Sequence, residues 1–543
     1  MSWQYSPGGR PFACPAWARS AALAWLAWLA GGAAQAAVSE NLGVDVIAMS
    51  LGNAVTADPP GINSIHFNPA GLARLQGDRR QDSFFGASIR PQSTFTQPAG
   101  FEIGGWKEDP LAGSSTGKVR QSIYLPFHGP AANLQAAVGA GLGLSWNNPG
   151  SPWTFATASY VPMAVGFERP DPNDPGRYDG KRVILQRLVY LSPSVGYKYS
   201  DTLRFGVAVP IAHQGFALDT DMRMPNKLLG IIGKLQDGWC GSGNPLDELG
   251  FGLCGGGQTG RLRPFNRAGS MRFDVSAPFD PTLNLGALWE PTNWFGAGVV
   301  YQTGTTTVLT GRYEFNADPM LPAFVNGMYN SLLGPIAASM VGMPTYIPPT
   351  QSGNATLKLP FPDHLQIGFK LKPIERVQLN VDANWTDWKK WTHLTFQFDQ
   401  QIELLKMARM FGQTDPSQLV IPREYESRWH YGYGLQLRLT DAFTLRFGYE
   451  PRKSSVSRET LDLIAPLPDM TIKSVGLAYQ LDSGMTINAA ASYASGKYNI
   501  PADTSCNLNC TNFFNVIYNP YAGLDVSGVT RVRYGGISIS QPF

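Results

Sequence analysis

Few residues in this chain have the types and spacing that chemistry needs. The histidines at positions 66, 128, 213, 364, 393 and 430 are scattered, with no second histidine at metal-binding spacing. Gly255, Gly257 and Gly260 satisfy the G-x-G-x-x-G pattern of nucleotide-binding loops, but no strand–helix context surrounds them. No Ser–His pair stands out either. We therefore predict that the chain is not an enzyme and uses no cofactor or metal.

The cysteines suggest a structural role instead. Four of the five follow the N-terminal apolar segment: Cys240, Cys254, Cys506 and Cys510. An even number in an exported chain predicts two local disulfides, 240–254 and 506–510. Metal binding is the alternative, but it needs CxxC-like pairs or neighbouring histidines, and neither is present.

The composition points to a surface that does not face water everywhere. The net charge is +3, charged residues make up only 15% of the chain, and aromatic residues make up 12%. A charge so close to zero gives no electrostatic case for binding nucleic acid. Low charge combined with many aromatic residues and 59 glycines suits a protein that is partly surrounded by lipid.

The first 36 residues have the features of a secretory signal peptide. Arg10 and Arg19 supply the positive region, and the run AALAWLAWLAGGAAQA (21–36) supplies the apolar region with small residues at its end. A retained transmembrane helix is the alternative, but the run is short for that role. No later run is long enough for a spanning helix, so a membrane-spanning mature chain would have to be a β-barrel.

Alternation of apolar and polar residues is the dominant pattern of the mature chain. In VQLNVDANWT (377–386), every second residue is apolar, and HLQIGFKL (364–371) repeats the pattern. Short turns alternate with long connections, which is typical of outer-membrane barrels. A soluble β-sandwich or propeller also alternates, but the polar faces here carry Gln, Asn, Asp and Arg. We predict an all-β membrane protein, an antiparallel transmembrane β-barrel of about fourteen strands in the outer membrane of a Gram-negative bacterium.

The fourteen predicted strands place the barrel at residues 81–543. They lie near 83–92, 120–127, 134–147, 183–199, 202–219, 280–291, 294–315, 354–372, 375–398, 424–439, 442–457, 469–481, 485–499 and 529–543. The last strand ends on Phe543, a typical end for such barrels, so we expect the barrel-assembly machinery to recognise it.

Two kinds of segment fall outside these strands. Residues 37–80 are rich in Pro, Gly and Asn yet apolar, which predicts an irregular plug, or hatch, inside the barrel. The long loops 221–270, 318–350 and 400–422 are apolar, which favours a hydrophobic ligand at the outer mouth, although they could equally pack on one another as a lid. The candidate ligand-capture residues are Leu228, Leu229, Ile231, Met320, Leu321, Phe324, Met328 and Leu332.

Several ordered motifs resemble one family. FNPAGLARL (67–75), GNATLKLPFPDHLQIGF (353–369), ANWTDWKKW (383–391) and GYEPRKSSVSRETLDLIAPLPD (448–469) are similar to motifs of the outer-membrane long-chain fatty acid transport family, which is FadL-like and includes the toluene and xylene uptake porins. The resemblance implies that Asn68, Pro69 and Ala70 form the signature of the N-terminal hatch.

The resemblance also implies a mechanism. A hydrophobic molecule lands on the loops, moves to a pocket beside the hatch, and leaves sideways through a gap in the third strand, which we place at LQAAVGAGLGLSW (134–146) with Gly139, Gly141 and Gly143 facing inward. Simple clearance for the hatch is an equal explanation of these glycines. His213 is the candidate polar anchor for a carboxylate.

We expect a monomer surrounded by outer-membrane lipid that takes up long-chain fatty acids passively. Neutral or aromatic hydrocarbons are the alternative ligands. A structural or adhesive barrel is the more distant alternative, because apolar loops make poor adhesins in water.

Overall fold

The computed structural model describes residues 40–241, 252–340, 342–411, 415–464, 468–511 and 519–543. The predicted signal peptide, 1–36, lies outside the described residues. Within them, no helix is long and apolar enough to cross a membrane. The described residues form a closed antiparallel β-barrel whose wall is crossed by fourteen passes of the chain, as predicted.

The strands are numbered in chain order and several passes consist of two segments. They are β1 (Glu40–Gly43), β2 (Arg79–Thr96), β3 (Arg120–Leu125), β4 (Gly129–Leu134), β5 (Ala137–Trp146), β6 (Trp153–Glu168), β7 (Arg182–Leu191), β8 (Ser194–Lys198), β9 (Leu203–Ala208), β10 (Ile211–Arg223), β11 (Arg267–Pro281), β12 (Asn284–Trp289), β13 (Phe295–Gln302), β14 (Thr305–Ala317), β15 (Thr350–Phe361), β16 (His364–Ile374), β17 (Val377–Thr386), β18 (His393–Phe398), β19 (Gln418–Pro422), β20 (Arg428–Arg438), β21 (Phe443–Arg452), β22 (Met470–Gln480), β23 (Thr486–Ile500) and β24 (Asp525–Pro542).

The wall closes because β2 pairs with β24 on one side and with β5 on the other. The connections at one end are short, such as 439–442 and 481–485, whereas those at the other end are long, such as 224–266 and 318–349. Short turns face the periplasm and long loops face the outside in outer-membrane barrels. This rule orients the molecule, with Phe543 at the periplasmic end.

The helices belong to the interior and to the outer loops. They are α1 (Val46–Ser50), α2 (Ser64–Phe67), α3 (Lys227–Trp239), α4 (Met320–Tyr329), α5 (Gly334–Met340) and α6 (Glu403–Met407), with 3-10 helices at Pro69–Arg74, Pro175–Tyr178, Trp388–Lys390 and Ala408–Phe411. Helices α1 and α2 and the first 3-10 helix lie in residues 44–76, which we call the inner segment.

The inner segment is enclosed by the wall. Ala48, Leu51, Ile65 and Phe67 are completely or almost completely buried. Glycines on the inward face of the wall make room for it. A β carbon added at Gly206 would overlap the backbone of Pro69 and Ala70, and one at Gly368 would lie 2.7 Å from the side chain of Thr56. Neighbouring strands align Gly206 with Gly286 and Gly298 with Gly368, so each of these two gaps extends over two strands.

One of the predicted strands is wrong and one strand of the wall is missing from the prediction, although the total of fourteen is right. Residues 120–127 do not make a wall pass, because β3 and β4 pair with each other as a short hairpin. The missed pass is β6, whose sequence WTFATASYVPMAVGFE alternates weakly between small and large residues and contains Pro162. Strand β5 is consequently the second pass, and β6 is the third.

The outer loops pack on one another. Side chains from 224–266, from 318–349 and from α6 share one apolar cluster, which includes Leu229, Leu262, Leu321, Met343 and Met407. Disulfides join Cys240 to Cys254 and Cys506 to Cys510 at the same end. The loops therefore form a packed cap over the barrel mouth.

Gly206→Ala should destabilise the barrel, because the new methyl group displaces the inner segment from the wall. Overpacking of this kind costs about 1–3 kcal/mol, which should lower the midpoint of urea unfolding in vesicles followed by tryptophan fluorescence. Gly139→Ala is the matched control, since no heavy atom lies within 4 Å of its added β carbon. Equal midpoints for the two variants would contradict a tight fit at Gly206.

Candidate functional site

The residues Asn68, Pro69 and Ala70 lie at the contact between the inner segment and the wall. The Asn68 side chain is fully buried. Its Nδ2 donates to the carbonyl oxygens of Thr56 (2.9 Å) and of Ala287 in β12 (3.0 Å), and its Oδ1 accepts from the Ala70 amide (3.2 Å). One side chain thus ties two turns of the inner segment to each other and to the barrel. Pro69 opens the following 3-10 helix, where its missing N–H costs nothing.

Strand β17 supplies the main polar anchor of the inner segment. The carboxylate of Asp382 accepts hydrogen bonds from the amides of Val55 (2.8 Å) and Thr56 (2.7 Å). Two residues earlier, Asn380 donates to the Ala54 carbonyl oxygen at 2.8 Å. These bonds satisfy an irregular stretch of backbone that has no ladder partner.

Asp58 adds an ionic contact at the same face. Its carboxylate pairs with Arg74 of the inner segment at 2.5 Å and lies 3.6 Å from Lys370 of β16. Burial alone would raise the pKa of Asp58, but these two cations outweigh it and hold the pKa below its usual range. Asp58 therefore stays ionised and links Arg74 of the inner segment to Lys370 of the wall.

Asp45 organises the opposite side of the inner segment. Its Oδ1 caps α1 by accepting from the amides of Ile47 and Ala48, while its Oδ2 accepts from Asn63 and from Gln81 of β2, both at 3.0 Å. Gln81 is the only partner in this group that belongs to the wall. The side of the segment near β2 is thus held mostly by its own residues.

The wall is interrupted where β5 meets β6. The two strands pair only between Leu142–Trp146 and Phe155–Ser159. Higher up, the register of β6 against β7 shifts between Tyr160 and Met163, around the buried Pro162, which has no N–H for the ladder. β3 rejoins β6 only at Glu168 and Phe167.

The N-terminal strand lies in this interruption. Gly43 of β1 is the partner of Val161, and Glu40 is the partner of Met163. The four residues of β1 thus pair with the stretch of β6 edge that β5 and β3 leave unpaired. β1 leads directly into the inner segment, so the strand in the interruption and the inner segment form one continuous stretch of chain.

An apolar cavity of about 210 Å³ opens at the interruption. Its lining includes Gly43, Phe85, Gly139, Val161, Val165 and Val532. No charged side chain of the described residues lines it. Gln121 and Gln186, its two amides, are occupied by bonds to the backbone of Ile89 and Tyr124.

The three glycines of 134–146 face inward, but their surroundings differ. Gly139 lines the cavity and has open space on its inner side. A β carbon at Gly141 would lie 2.9 Å from the Ser159 carbonyl oxygen, and one at Gly143 would lie 2.8 Å from the side chain of Ile62. Gly143 therefore gives clearance to the inner segment, whereas Gly139 borders the opening.

The structure separates the loop residues into two groups. Leu229, Leu321, Phe324 and Met328 are buried in the cap, with Leu228 and Met320 packed against them. Of the eight candidate ligand-capture residues, only Ile231 and Leu332, which are 46% and 66% exposed, present apolar surface to the outside.

Sequence reasoning missed the anchors. Gln378, Asn380 and Asp382 belong to the polar face of a strand, but nothing in its alternation shows that their partners lie in the inner segment, 320 or more residues away. Those partners are the Asp58 carboxylate, the Ala54 carbonyl oxygen, and the amides of Val55 and Thr56. The sequence does hold one signal, which is that these lumen-facing residues are polar. Positions that pack only against hydrocarbon would not need Asn and Asp.

Comparison with known proteins assigns the family. The sequence matches the family model described as outer membrane protein transport protein (OMPP1/FadL/TodX) over residues 20–524. The chain belongs to this family. It is an outer-membrane transporter of hydrophobic compounds in a Gram-negative bacterium and is not an enzyme.

Solved structures share the fold of this family member. A FadL homologue from Pseudomonas aeruginosa is 18% identical, with a TM-score of 0.63 over 94% of this chain and 100% of that one. The toluene transporter TbuX from Ralstonia pickettii is 16% identical, with a TM-score of 0.56 over 93% and 99%. No curated protein matches the sequence.

Two basic residues of this transporter, His213 and Arg187, are buried against other protein groups. His213, the candidate anchor, is 3% exposed on β10, with its ring 5.5 Å from that of Tyr124. The nearby Arg187 pairs with Asp280 and lies 4.3 Å above the Phe361 ring. Thr307 also donates to Asp280, at 2.7 Å. The Arg187 charge is therefore balanced without a ligand.

Asp382→Ala should loosen the inner segment of this transporter while leaving the barrel assembled. Losing a buried acceptor for two amides costs about 2 kcal/mol, which corresponds to roughly 30-fold faster exchange. Hydrogen–deuterium exchange of a peptide covering 52–60 measures it. Asn384→Ala on the same strand and face is the control, because the described residues show no hydrogen bond from its side chain to the inner segment. Equal exchange in both variants would refute the anchor.

The pH dependence of stability should reveal the buried His66. Burial, and to a smaller extent the Arg187 cation, lowers the pKa of His66 to about 3. Above pH 6.5 the imidazole is neutral in both states; below it, only the unfolded chain takes up the proton. Stability should fall by about 2–3 kcal/mol between pH 6.5 and 4.5.

Urea unfolding at the two pH values tests this expectation. His66→Gln should reduce the pH dependence by that amount, whereas His128→Gln, at an exposed turn, should leave it unchanged. An unchanged slope in His66→Gln would show that His66 does not enter the folded state neutral.

Proposed function

We propose that this transporter moves small, neutral hydrophobic molecules passively from the cap to the cavity between β5 and β6, and releases them sideways into the membrane. The single observation that carries the proposal is the apolar cavity at the interrupted wall. It is lined without charged side chains and lies where the hydrogen-bond ladder is already broken. No energy source is required, because the ligand follows its gradient.

In this proposal, residues 37–80 act as a hatch around Asn68, Pro69 and Ala70. Its polar bonds to the wall concentrate on the face formed by β12, β16 and β17. On the side of the cavity, contact rests on the hydrogen bonds of Gln81 with Asp45 and the Ile62 amide, on β1, and on van der Waals packing such as Ile62 against Gly143. Release of β1 would widen the opening while Asp382 keeps the hatch inside the barrel.

The ligand class follows from size and charge. A dry cavity of ~150 Å³ is large enough for benzene, so about 210 Å³ suits a monoaromatic or a short alkyl segment. A carboxylate would arrive without a free cation, because Arg187 is balanced by Asp280. The proposal therefore favours the neutral hydrocarbon alternative over the long-chain fatty acid expected from the sequence.

Uptake by liposomes containing the purified protein tests function and ligand class together. We expect accumulation of toluene above protein-free liposomes and little accumulation of oleate. Gly139→Phe should lower toluene uptake at least tenfold, because its ring fills the cavity at the wall opening.

Ala297→Phe is the matched control, since Ala297 stands opposite Trp289 and Phe369 on a distant strand. If the liposomes take up oleate and Gly139→Phe abolishes that uptake, the proposed route stands, and the ligand is a long-chain fatty acid. Uptake of neither ligand would refute the transport proposal, and unchanged uptake in Gly139→Phe would remove the opening from the route.

A further inference from the structure

Five basic residues stand together on the outer surface of the wall, on strands β2, β22, β23 and β24. Register places them in adjacent cross-strand rows. Lys473 stands beside Tyr493, which stands beside Arg533; one row further, Arg531 stands beside Arg90. Lys497 follows above them. Because directly opposed residues point to the same side of a sheet, the five side chains share the lipid-facing surface.

These cations lack protein partners of opposite charge. Among the described residues, no carboxylate lies within ion-pair distance of Arg90, Lys473, Lys497, Arg531 or Arg533. The only recorded side-chain bond is from Arg531 to the amide oxygen of Gln92, at 2.6 Å. Elsewhere on the barrel exterior the pattern differs, since Arg272 stands between Asp219 and Glu314 on its neighbouring strands. The patch is therefore a concentrated, uncompensated positive charge.

The depth of the patch matches the outer boundary of the hydrocarbon. Arg80, at the periplasmic end of β2, precedes Arg90 by ten residues on the same outward face. A tilted strand needs ~9–11 residues to cross the hydrocarbon. Arg90 and its neighbours consequently lie at the headgroups of the outer leaflet, where cations in lipid are no longer penalised.

Below the cations, the surface forms a groove suited to acyl chains. Its floor consists of the small residues Gly86, Ala489, Ala491 and Gly535, and its rims include Phe84, Leu477 and Ile537. The groove continues upward to Lys473 and Arg533. Most of the lipid-facing surface around it carries large aliphatic and aromatic side chains, so the recess is local.

We propose that this surface is a binding site for one phosphorylated outer-leaflet glycolipid, lipopolysaccharide, with its phosphates on Lys473, Arg533, Arg531 and Arg90 and its acyl chains in the groove. Charge complementarity selects the occupant, because this leaflet is built from lipid A carrying phosphates. The site lies on the lipid-facing side of the wall, so its occupant is a different molecule from the transported ligand, although Phe85 and Gly86 line both the groove and the cavity.

Native mass spectrometry of the full chain in phosphatidylcholine nanodiscs, with bis-phosphorylated lipid A as the probe, tests the site. Lys473→Gln/Arg533→Gln should weaken lipid A binding about 30-fold, since each cation near an anionic surface contributes roughly a fivefold factor. Lys358→Gln/Arg272→Gln removes the same outward charge elsewhere and should change nothing.

Two further arms define the chemistry. Lipid A without phosphates should bind the wild type weakly, with the same affinity as phosphorylated lipid A for the double variant. Ala491→Phe should weaken the binding of phosphorylated lipid A, because the ring fills the groove without changing the charge. Equal binding by the double variant and wild type would overturn the proposal. Equally tight binding of phosphatidylglycerol would also overturn it, because the surface would then attract any anionic lipid.

If the double variant does not assemble, the proposal is tested instead by measuring lipid A binding to the wild-type protein between 0.05 and 0.5 M NaCl. Salt should displace lipid A, and retention across that range would refute a phosphate site.

Discussion

An irregular backbone enclosed by a wall must find its hydrogen-bond partners within that wall, and most of this structure follows from that requirement. A buried amide without a partner costs about 1–3 kcal/mol, and the inner segment has little regular structure of its own. The wall supplies these partners through inward-facing Asp, Asn and Gln side chains. The single carboxylate of Asp382, for example, accepts hydrogen bonds from two amides. The wall also carries inward-facing glycines, because a strand position without a side chain lets another backbone approach this closely.

The same requirement produces a division between the two sides of the lumen. Polar partners on β16 and β17 fix the inner segment to one side, whereas the side near β2 is held by the hydrogen bonds of Gln81, by apolar packing and by β1. Pro162 breaks the ladder on that weaker side, and the apolar cavity lies beside it. A molecule with no polar groups gains nothing from the anchored side of the lumen. It can occupy the opposite side without breaking the hydrogen bonds between the inner segment and the anchored side of the wall. The proposed route and the anchor therefore do not compete.

Much of the wall could be predicted from the sequence, because a strand with lipid on one face and a polar lumen on the other must alternate. Residues 377–386 show this well. The prediction failed at β6, where small residues and Pro162 blur the alternation, and at β3, whose short apolar run resembles a wall strand. The NPA tripeptide marked the inner segment, but its bonds to Ala287 and the role of Asp382 depend on contacts across more than 200 residues. No local pattern encodes those.

The place of the opening also decides how far a ligand must travel through water. The cavity and the outer groove share Phe85 and Gly86 in their linings, so only strand β2 separates the cavity from the lipid there. An apolar molecule that left through the periplasmic end would have to expose its whole surface to water, at ~25 cal/mol for each Å². A sideways exit avoids that cost, because the hydrocarbon begins where the cavity ends. A broken wall is thus the favourable solution for a hydrophobic cargo, whereas an open pore suits a polar one.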